Sequence, residues 1–228
     1  MATPGLLFVL SQPKPGGISE DDFNKWYNTV HIQDVVKSGL ADLALRYINV
    51  APEPKWRYLA IYRLPDLAKL QDKDVMASIP LTHEIFGGNL WTEYTDAALM
   101  PFLRIQTFEG QVEKAGPRGT GLRTVFVEPA EGTDDEFDEW YRKQHLDMLG
   151  TVTGFRRSTR YKRAPGAPGH GYGTYLALHE YDEPEVPAEQ VKLVVGTEWS
   201  RKILGSAQSF QGDLWKLITA EGKVEEKF

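Results

Sequence analysis

The chain of 228 residues contains an internal repeat whose two copies lie 114 residues apart. Residues 21–27 read Asp-Asp-Phe-Asn-Lys-Trp-Tyr and are followed by His31. Residues 135–141 read Asp-Glu-Phe-Asp-Glu-Trp-Tyr and are followed, at the same distance, by His145. A repeat of this length predicts that one supersecondary unit occurs twice and that both copies share a fold.

Two further blocks support this alignment. Residues 46–47 (Arg-Tyr) match residues 160–161 at the same spacing, and residues 58–62 match residues 175–179 at a spacing of 117. The change in spacing falls in Pro- and Gly-rich stretches between the blocks, where loops accept insertions. Three blocks in the same order make chance a poor explanation and predict the same order of elements in both copies.

Hydrophobic periodicity predicts the order strand, helix, strand, strand, helix, strand in each copy. The second and third strands form a hairpin across the Pro- and Gly-rich loop. The opening strands are predicted at Leu6–Ser11 and Leu122–Val127. The second helices are predicted at Pro65–Ala77 and Pro187–Leu204, and the closing strands at Leu99–Phe108 and Phe210–Ile218.

The first helix of each copy is predicted from its start and from one apolar face. Ser19 with Asp22 indicates a helix start in the first copy, and Thr133 with Glu136 has the spacing of a capping box in the second. Helical spacing places one set of side chains inward in each copy. These are Phe23, Trp26, Tyr27, Val30 and His31 in the first, and Phe137, Trp140, Tyr141, Gln144 and His145 in the second.

A βαββαβ unit of this length is the ferredoxin-like pattern. Its sheet carries helices on one face, and the other face needs a cover that a second copy can supply. The predicted fold class is α+β, with two ferredoxin-like repeats packed sheet to sheet as a pseudo-dimeric α+β barrel. The repeats are residues 1–113 and 120–228, joined by a short linker around Glu113–Gly119.

Alternation along the third strand predicts which of its side chains face the helices. The side chains expected toward the helices are Leu59, Ile61, Leu176 and Leu178. Those expected toward the other sheet are Tyr58, Ala60, Tyr62, Tyr175, Ala177 and His179.

Composition excludes several classes of function. The chain has no cysteine, which excludes disulfides, cysteine-ligated metals and a cysteine nucleophile. Residues 1–114 carry 11 basic and 14 acidic side chains, and residues 115–228 carry 15 and 18. Neither copy therefore has the basic excess of a nucleic-acid binder. The apolar runs are too short to span a bilayer, and the first residues do not resemble a signal peptide. Both observations favour a cytoplasmic protein without a membrane partner.

The first-helix pattern Phe-x-x-Trp-Tyr-x-x-x-His, present twice, resembles the EthD-like branch of the dimeric α+β barrel superfamily, in a tandem-repeat form. The resemblance covers the whole chain as two units, and its specific part is this helix. It implies small enzymes of degradative or polyketide pathways. Such enzymes isomerise, cyclise or decarboxylate their substrates without a cofactor.

His31 and His145 are the candidate catalytic residues. A histidine titrates near neutrality and can move protons in each of those reactions. Both lie at the end of the inward helical face, where they could reach a cavity between helix and sheet. The alternative is a structural histidine in each copy that ties the first helix to the sheet.

Ten further residues are candidates for substrate binding. Arg46 and Arg160 could hold a carboxylate or an enolate oxygen, or form ion pairs on the sheet. The aromatic side chains suit a planar, phenolic substrate, or pack as core. His83 could be a second acid–base group, or an exposed helix residue. The full set is Trp26, Tyr27, Arg46, Tyr62, His83, Trp140, Tyr141, Arg160, Tyr175 and His179.

These residues favour a cofactor-independent lyase or isomerase that acts on a small aromatic or polyketide-derived molecule by histidine acid–base catalysis. No metal is expected, since no two histidines have the spacing of metal ligands. One alternative is a haem enzyme, because related tandem α+β barrels bind haem through one histidine. Another is a non-catalytic barrel that binds small molecules or serves in stress. A chain that covers its own sheets is expected as a monomer or a weak homodimer.

Overall fold

The computed structural model describes residues 2–228, in which eight strands alternate with short helices. The strands are β1 (Gly5–Pro13), β2 (Leu43–Asn49), β3 (Tyr58–Leu64), β4 (Thr95–Glu109), β5 (Gly121–Glu128), β6 (Phe155–Arg163), β7 (Tyr175–Tyr181) and β8 (Ser209–Gly222). The helices are α1 (Glu20–Trp26), α2 (Ile32–Lys37), α3 (Lys73–Ala77), α4 (Trp91–Tyr94), α5 (Asp134–Trp140), α6 (Leu146–Leu149), α7 (Ala188–Val195) and α8 (Glu198–Ser206). None of the helices described combines the length and apolar character needed to cross a bilayer.

The strand order is β1-β3-β2-β8-β5-β7-β6-β4, which is the topology of a closed barrel. The predicted α+β barrel class is therefore confirmed. By its internal contacts the chain divides into two compact units. One unit contains the chain up to Leu103 with Ala164–Pro168 and Leu217–Phe228, and the other contains Arg104–Arg163 and Gly169–Lys216.

Within each unit the strands pair in the same antiparallel way. β1 lies between β3 and β4, and β3 pairs with β2, so that Tyr62 of β3 stands opposite Leu7 of β1 and Ala44 of β2. In the second unit β5 lies between β7 and β8, and β7 pairs with β6. The register fixes which side chains are neighbours on one face of each sheet.

The expected orientation of the third strand is wrong in both repeats. Tyr58, Ala60 and Tyr62 pack in the core beneath the helices, together with Phe23 and Trp26. Leu59, Ile61, Leu176 and Leu178 are buried on the opposite face, while Tyr175 and Ala177 lie beneath the second repeat's helices. The tyrosine hydroxyls explain this choice, because a buried hydroxyl needs a hydrogen-bond partner and the first helix offers one.

Those hydroxyl contacts attach the first helix to the sheet. The Tyr58 hydroxyl donates to a Glu20 carboxylate oxygen at 2.5 Å, and the Tyr175 hydroxyl donates in the same way to Asp134. The Tyr62 hydroxyl donates to the Tyr27 hydroxyl at 3.0 Å. The region between helix and sheet is therefore aromatic with polar ends, and the opposite face is mainly aliphatic.

The two predicted helix starts differ. Ser19 caps α1 as predicted, since its hydroxyl oxygen accepts the backbone N–H of Asp22 at 3.1 Å. The predicted capping box at α5 is wrong, because the Thr133 hydroxyl donates to the Ala130 carbonyl at 2.8 Å and makes no cap bond. A tight turn before α5 satisfies that hydroxyl first, and the Glu136 carboxylate pairs with Lys202 instead.

The first helix widens into a π-turn at the same place in both repeats. The turns span Tyr27–His31 and Tyr141–His145, and each is closed by the backbone N–H of the next residue donating to the tyrosine carbonyl. Each turn ends on the histidine of the repeated motif. Single π-turns inside helices recur at functional sites.

The second helix is not continuous in either repeat, which corrects both predicted spans. In the first repeat a 3-10 turn at Leu67–Gln71 precedes α3, because the Asp72 carboxylate accepts N–H groups of the new helix and starts it afresh. In the second repeat Gly196 ends α7, and the Thr197 hydroxyl oxygen caps α8. Local capping thus outweighs the longer periodic pattern.

The capping difference predicts unequal effects of two alanine substitutions. Ser19→Ala should lower the free energy of unfolding by about 1 kcal/mol, because it leaves a helix N–H without an acceptor. Thr133→Ala should change it by less than about 0.5 kcal/mol, as is usual for surface changes that remove no cap. Urea unfolding of the two variants beside wild type measures both. Equal losses would contradict the cap assignment.

Candidate active site

A small cavity lies between the first helix and the sheet of the second repeat. It measures about 40 Å³ and is partly open to solvent. Most of its lining is apolar, and β5, α7 and α8 contribute Val125, Val191 and Leu204 to it. The half-exposed ring of Phe210 also lines it. The predicted space between helix and sheet therefore exists in this repeat.

Three polar side chains form a row across the sheet in this repeat. His179 of β7 stands opposite Arg123 of β5 on one side and opposite Ser158 of β6 on the other. The Ser158 hydroxyl and His179 Nδ1 are 2.6 Å apart, which is a hydrogen bond whose direction depends on the imidazole tautomer. Tyr181, two residues along β7 and thus on the same face, also lines the cavity. Its buried hydroxyl has no hydrogen-bond partner within residues 2–228.

His145 lies across the cavity from this row. Its ring stacks on Trp140 with 4.1 Å between centroids, meets Tyr141 edge-on at 5.1 Å and stands 6.3 Å from the ring of His179. Its Nδ1 is buried and has no hydrogen-bond partner in the part of the chain described. The π-turn thus presents an imidazole with an unused ring nitrogen to an apolar cavity.

Burial keeps these histidines neutral. Desolvation, followed by the charge of Arg160, lowers the pKa of His145 from 6.5 to about 3. Desolvation, with smaller contributions from His145, Arg123 and Arg160, places the pKa of His179 well below its usual value. Both imidazoles are therefore uncharged at neutral pH and can accept a proton or a hydrogen bond.

Arg123 is the lining residue that carries a fixed charge. In residues 2–228 its guanidinium has no ion pair or hydrogen bond, and the side chain is only partly exposed. Sequence reasoning missed this residue, because a single arginine in a predicted strand carries no motif. The signal lay in the repeat alignment of the opening strands, in which Arg123 takes the place of Leu7.

The first repeat has no such row. Leu7, Ala44 and Tyr62 occupy the positions of Arg123, Ser158 and His179 and pack together in the hydrophobic core. The Tyr62 hydroxyl is bonded to Tyr27 on the π-turn, which joins sheet and helix where the second repeat has its cavity. The same backbone framework thus holds a polar site in one copy and a closed core in the other.

His31, the first repeat's candidate base, is enclosed by aromatic rings. It stacks on Trp26 at 4.7 Å and lies 6.0 Å from Trp91. Desolvation, and then the charge of Arg46, lowers its pKa to about 4. Tryptophan and phenylalanine side chains from residues 84–94 fill the region beside it, with Phe86 4.8 Å from Trp26.

The two arginines expected to bind substrate lie beneath the first helices. The Arg46 guanidinium carbon lies 4.5 Å from the Tyr27 ring centroid and 4.4 Å from that of Tyr58, and its hydrogen bond goes to the Asn28 side chain at 2.7 Å. Arg160 lies 3.8 Å from the Tyr141 ring and donates to Asp138 at 2.8 Å. Neither lines the cavity, and both are engaged in packing.

The remaining predicted binding residues divide into two groups. Trp140, Tyr141 and His179 line the cavity, as does the candidate catalytic residue His145. Tyr175 lies outside its lining and contacts Asp134 at the helix start. His83 accepts the backbone N–H of Ile85 through Nδ1 and caps a short 3-10 turn in the first repeat.

Comparison with known proteins gives a relative and a fold. No protein-family model matches the sequence. Core atranone cluster protein 1 of Stachybotrys chlorohalonatus is 35% identical over 195 residues, covering 79% of this chain and 82% of the relative. The crystal structure of an anthrone oxidase-like protein matches 100% of this chain and 96% of its own, with a TM-score of 0.57 and 16% identity. The structure of a chlorite dismutase variant from Candidatus Nitrospira defluvii matches 96% of this chain and 92% of the dismutase chain, with a TM-score of 0.59 and 9% identity.

These structures share the α+β barrel fold with this chain, as the resemblance implies. The EthD-like branch stays a prediction. The haem of the alternative hypothesis does not fit beside His145, because the His179 ring stands only 6.3 Å from the His145 ring, centroid to centroid, and apolar side chains line the space around them. Within residues 2–228 no group of three His, Asp or Glu side chains is placed to hold a metal ion.

The pKa of His145 predicts how stability depends on pH. Its folded value of about 3 lies below the 6.5 of an unfolded chain, so the unfolded state binds more protons as the pH falls through 6.5. Between pH 7 and pH 5 this one group should remove about 2 kcal/mol from the free energy of unfolding. Urea unfolding at both pH values should show a smaller loss in His145→Gln than in wild type. An equal loss would contradict a buried, neutral His145.

Proposed function

Because this chain belongs to the family of core atranone cluster protein 1, a secondary-metabolite cluster protein, we propose that it is a small-molecule enzyme of the same kind of metabolism. The reaction is a lyase or isomerase reaction on a small aromatic or polyketide-derived substrate. It proceeds by histidine acid–base catalysis in the second repeat. The observation that carries the proposal is the polar row of Arg123, His179 and Ser158 facing neutral His145 across an apolar cavity.

His145 is the proton-transfer group of this proposal. Its neutral imidazole takes a proton from an acidic C–H beside a carbonyl, or from an enol or phenol O–H, and the electron pair moves to the substrate oxygen. In an isomerisation the imidazolium then returns the proton to a different atom. In a cyclisation the carbanion first adds to a carbonyl carbon of the same molecule, and the imidazolium protonates the alkoxide that forms. In a decarboxylation it protonates the carbon that has lost carbon dioxide. Each sequence returns His145 to its starting state.

His179 and Ser158 act as positioning residues. Their hydrogen bond fixes the ring of His179, and a donating Ser158 hydroxyl leaves the Nε2–H of His179 as a donor. Both side chains are buried, so a substrate oxygen is the partner that such a donor would meet. In this way the sheet supports the oxygen end of the substrate and the helix supplies the base.

The lining suits the flat edge of an aromatic substrate. Trp140 and Tyr141 present ring surface from the helix, and the half-exposed Phe210 ring stands where the cavity meets solvent. The cavity admits the reacting edge of a substrate, and the rest lies along Phe210. Stacking of aromatic groups orients such molecules without charge.

The proposal assigns the reaction to one of the two histidines. Wild type should accelerate the exchange of deuterium from D₂O into the acidic methylene groups of 2-indanone. His145→Gln should lose this acceleration by about a hundredfold, the usual share of a general base. His31→Gln, the matched change in the first repeat, should keep the wild-type rate, because Tyr62 and Trp91 close its surroundings. Proton NMR of the 2-indanone methylene signal measures all three rates.

Two outcomes would contradict this assignment. A wild-type rate equal to that in buffer would exclude proton abstraction from such ketones. Equal losses in His145→Gln and His31→Gln would show that the two repeats do not differ in function. Circular dichroism of each variant, with thermal unfolding, confirms that the fold is intact.

The pH profile provides a separate prediction. Because the pKa of His145 is about 3, the base is already neutral throughout pH 5–8. The exchange rate should therefore stay flat over that range and show no acid limb near 6.5, where an ordinary histidine becomes protonated. Rates measured at half-unit intervals test this, and a tenfold decrease from pH 8 to pH 5.5 would contradict it.

A further inference from the structure

We infer that Arg123 binds a negatively charged oxygen of the substrate, so that the preferred substrates are planar aromatic molecules with an acidic oxygen, a carboxylate or an ionised phenol or enol. This inference rests on the proposed function for the location of the site. It adds the chemical class of the ligand and the residue that selects it.

The first support is that the Arg123 guanidinium has no partner within residues 2–228. Other buried or half-buried arginines of this unit are engaged: Arg156 pairs with Asp182 at 2.7 Å, and Arg160 pairs with Asp138 at 2.8 Å. Arg123 has neither an ion pair nor a hydrogen bond in the described chain, although it lines a largely apolar cavity. A cation placed there attracts an anion more strongly than it would in water.

The second support is the position of Arg123 in the row. It stands directly opposite His179, and His179 lies 6.3 Å from His145. An oxygen held by the guanidinium therefore lies on the sheet side, with the substrate's acidic proton toward the helix. Guanidinium is suited to this, since its planar donors match a carboxylate or an oxyanion.

The third support is that a weakly basic His145 needs a cation such as Arg123 near the substrate oxygen. A histidine with a strongly lowered pKa removes a proton only from a substrate whose conjugate base is stabilised. A fixed cation beside the developing oxyanion supplies that stabilisation without any reorganisation. In the first repeat Leu7 takes the place of Arg123 and packs in the hydrophobic core, so this position supplies no cation there.

Binding of a matched pair of probes tests the inference. Titration calorimetry should show that wild type binds benzoate at least tenfold more tightly than benzamide, which has the same shape without the charge. Arg123→Met should abolish this preference, and Arg123→Lys should keep part of it, because a point charge replaces the two-pronged donor. The control is Arg104→Met, which removes one positive charge from an exposed position on β4 and should leave the preference unchanged.

The binding and exchange measurements together distinguish failure of the inference from failure of the proposed function. His145→Gln should keep the benzoate preference while losing 2-indanone exchange, so that loss of exchange alone leaves the inference standing. Equal affinity of wild type for benzoate and benzamide, no binding of either, or a full preference in Arg123→Met would overturn it. The ligand-free Arg123→Met protein should melt no lower than wild type, because it removes an unpaired charge. A marked fall in melting temperature would instead assign Arg123 a structural role and overturn the inference.

Discussion

A buried guanidinium beneath the first helix is the interaction on which the rest of each repeat depends. Arg46 and Arg160 stack under the tyrosine of the π-turn, at 4.5 Å and 3.8 Å from its ring centroid. A buried cation must be held by rings and hydrogen bonds, since its desolvation is otherwise too costly. The helix is therefore fixed over the sheet, and its histidine is held in a position where burial and a nearby positive charge keep it neutral.

The two repeats share this arrangement of helix and sheet but differ in the polar side chains that the sheet carries. Both repeats keep the arginine, the π-turn and the tyrosine that contacts a carboxylate at the helix start. They differ at three sheet positions that are neighbours in space. Leu7, Ala44 and Tyr62 complete a core in one copy, where Arg123, Ser158 and His179 border a cavity in the other.

The second repeat combines features that a packed core avoids. An apolar cavity is bordered by two neutral histidines and by a guanidinium and a tyrosine hydroxyl that have no partner among residues 2–228. Unsatisfied polar groups of this kind cost stability, and a ligand bound in the cavity would supply partners for them. The closed first repeat, with its tyrosine pair and aromatic cluster, provides stability to the same chain.

The sequence by itself determined the two βαββαβ repeats, the inward face of the first helix and the two histidines at its end, because repetition and helical periodicity are local properties. The Ser19 cap followed from the same local chemistry. Alternation in Tyr58 to Tyr62 could not decide which face meets the helices, since both faces are buried and a period of two looks the same from either side. Only the tertiary structure brought together Arg123, Ser158 and His179. They come from three different strands, and cross-strand register has no signature in any one of them.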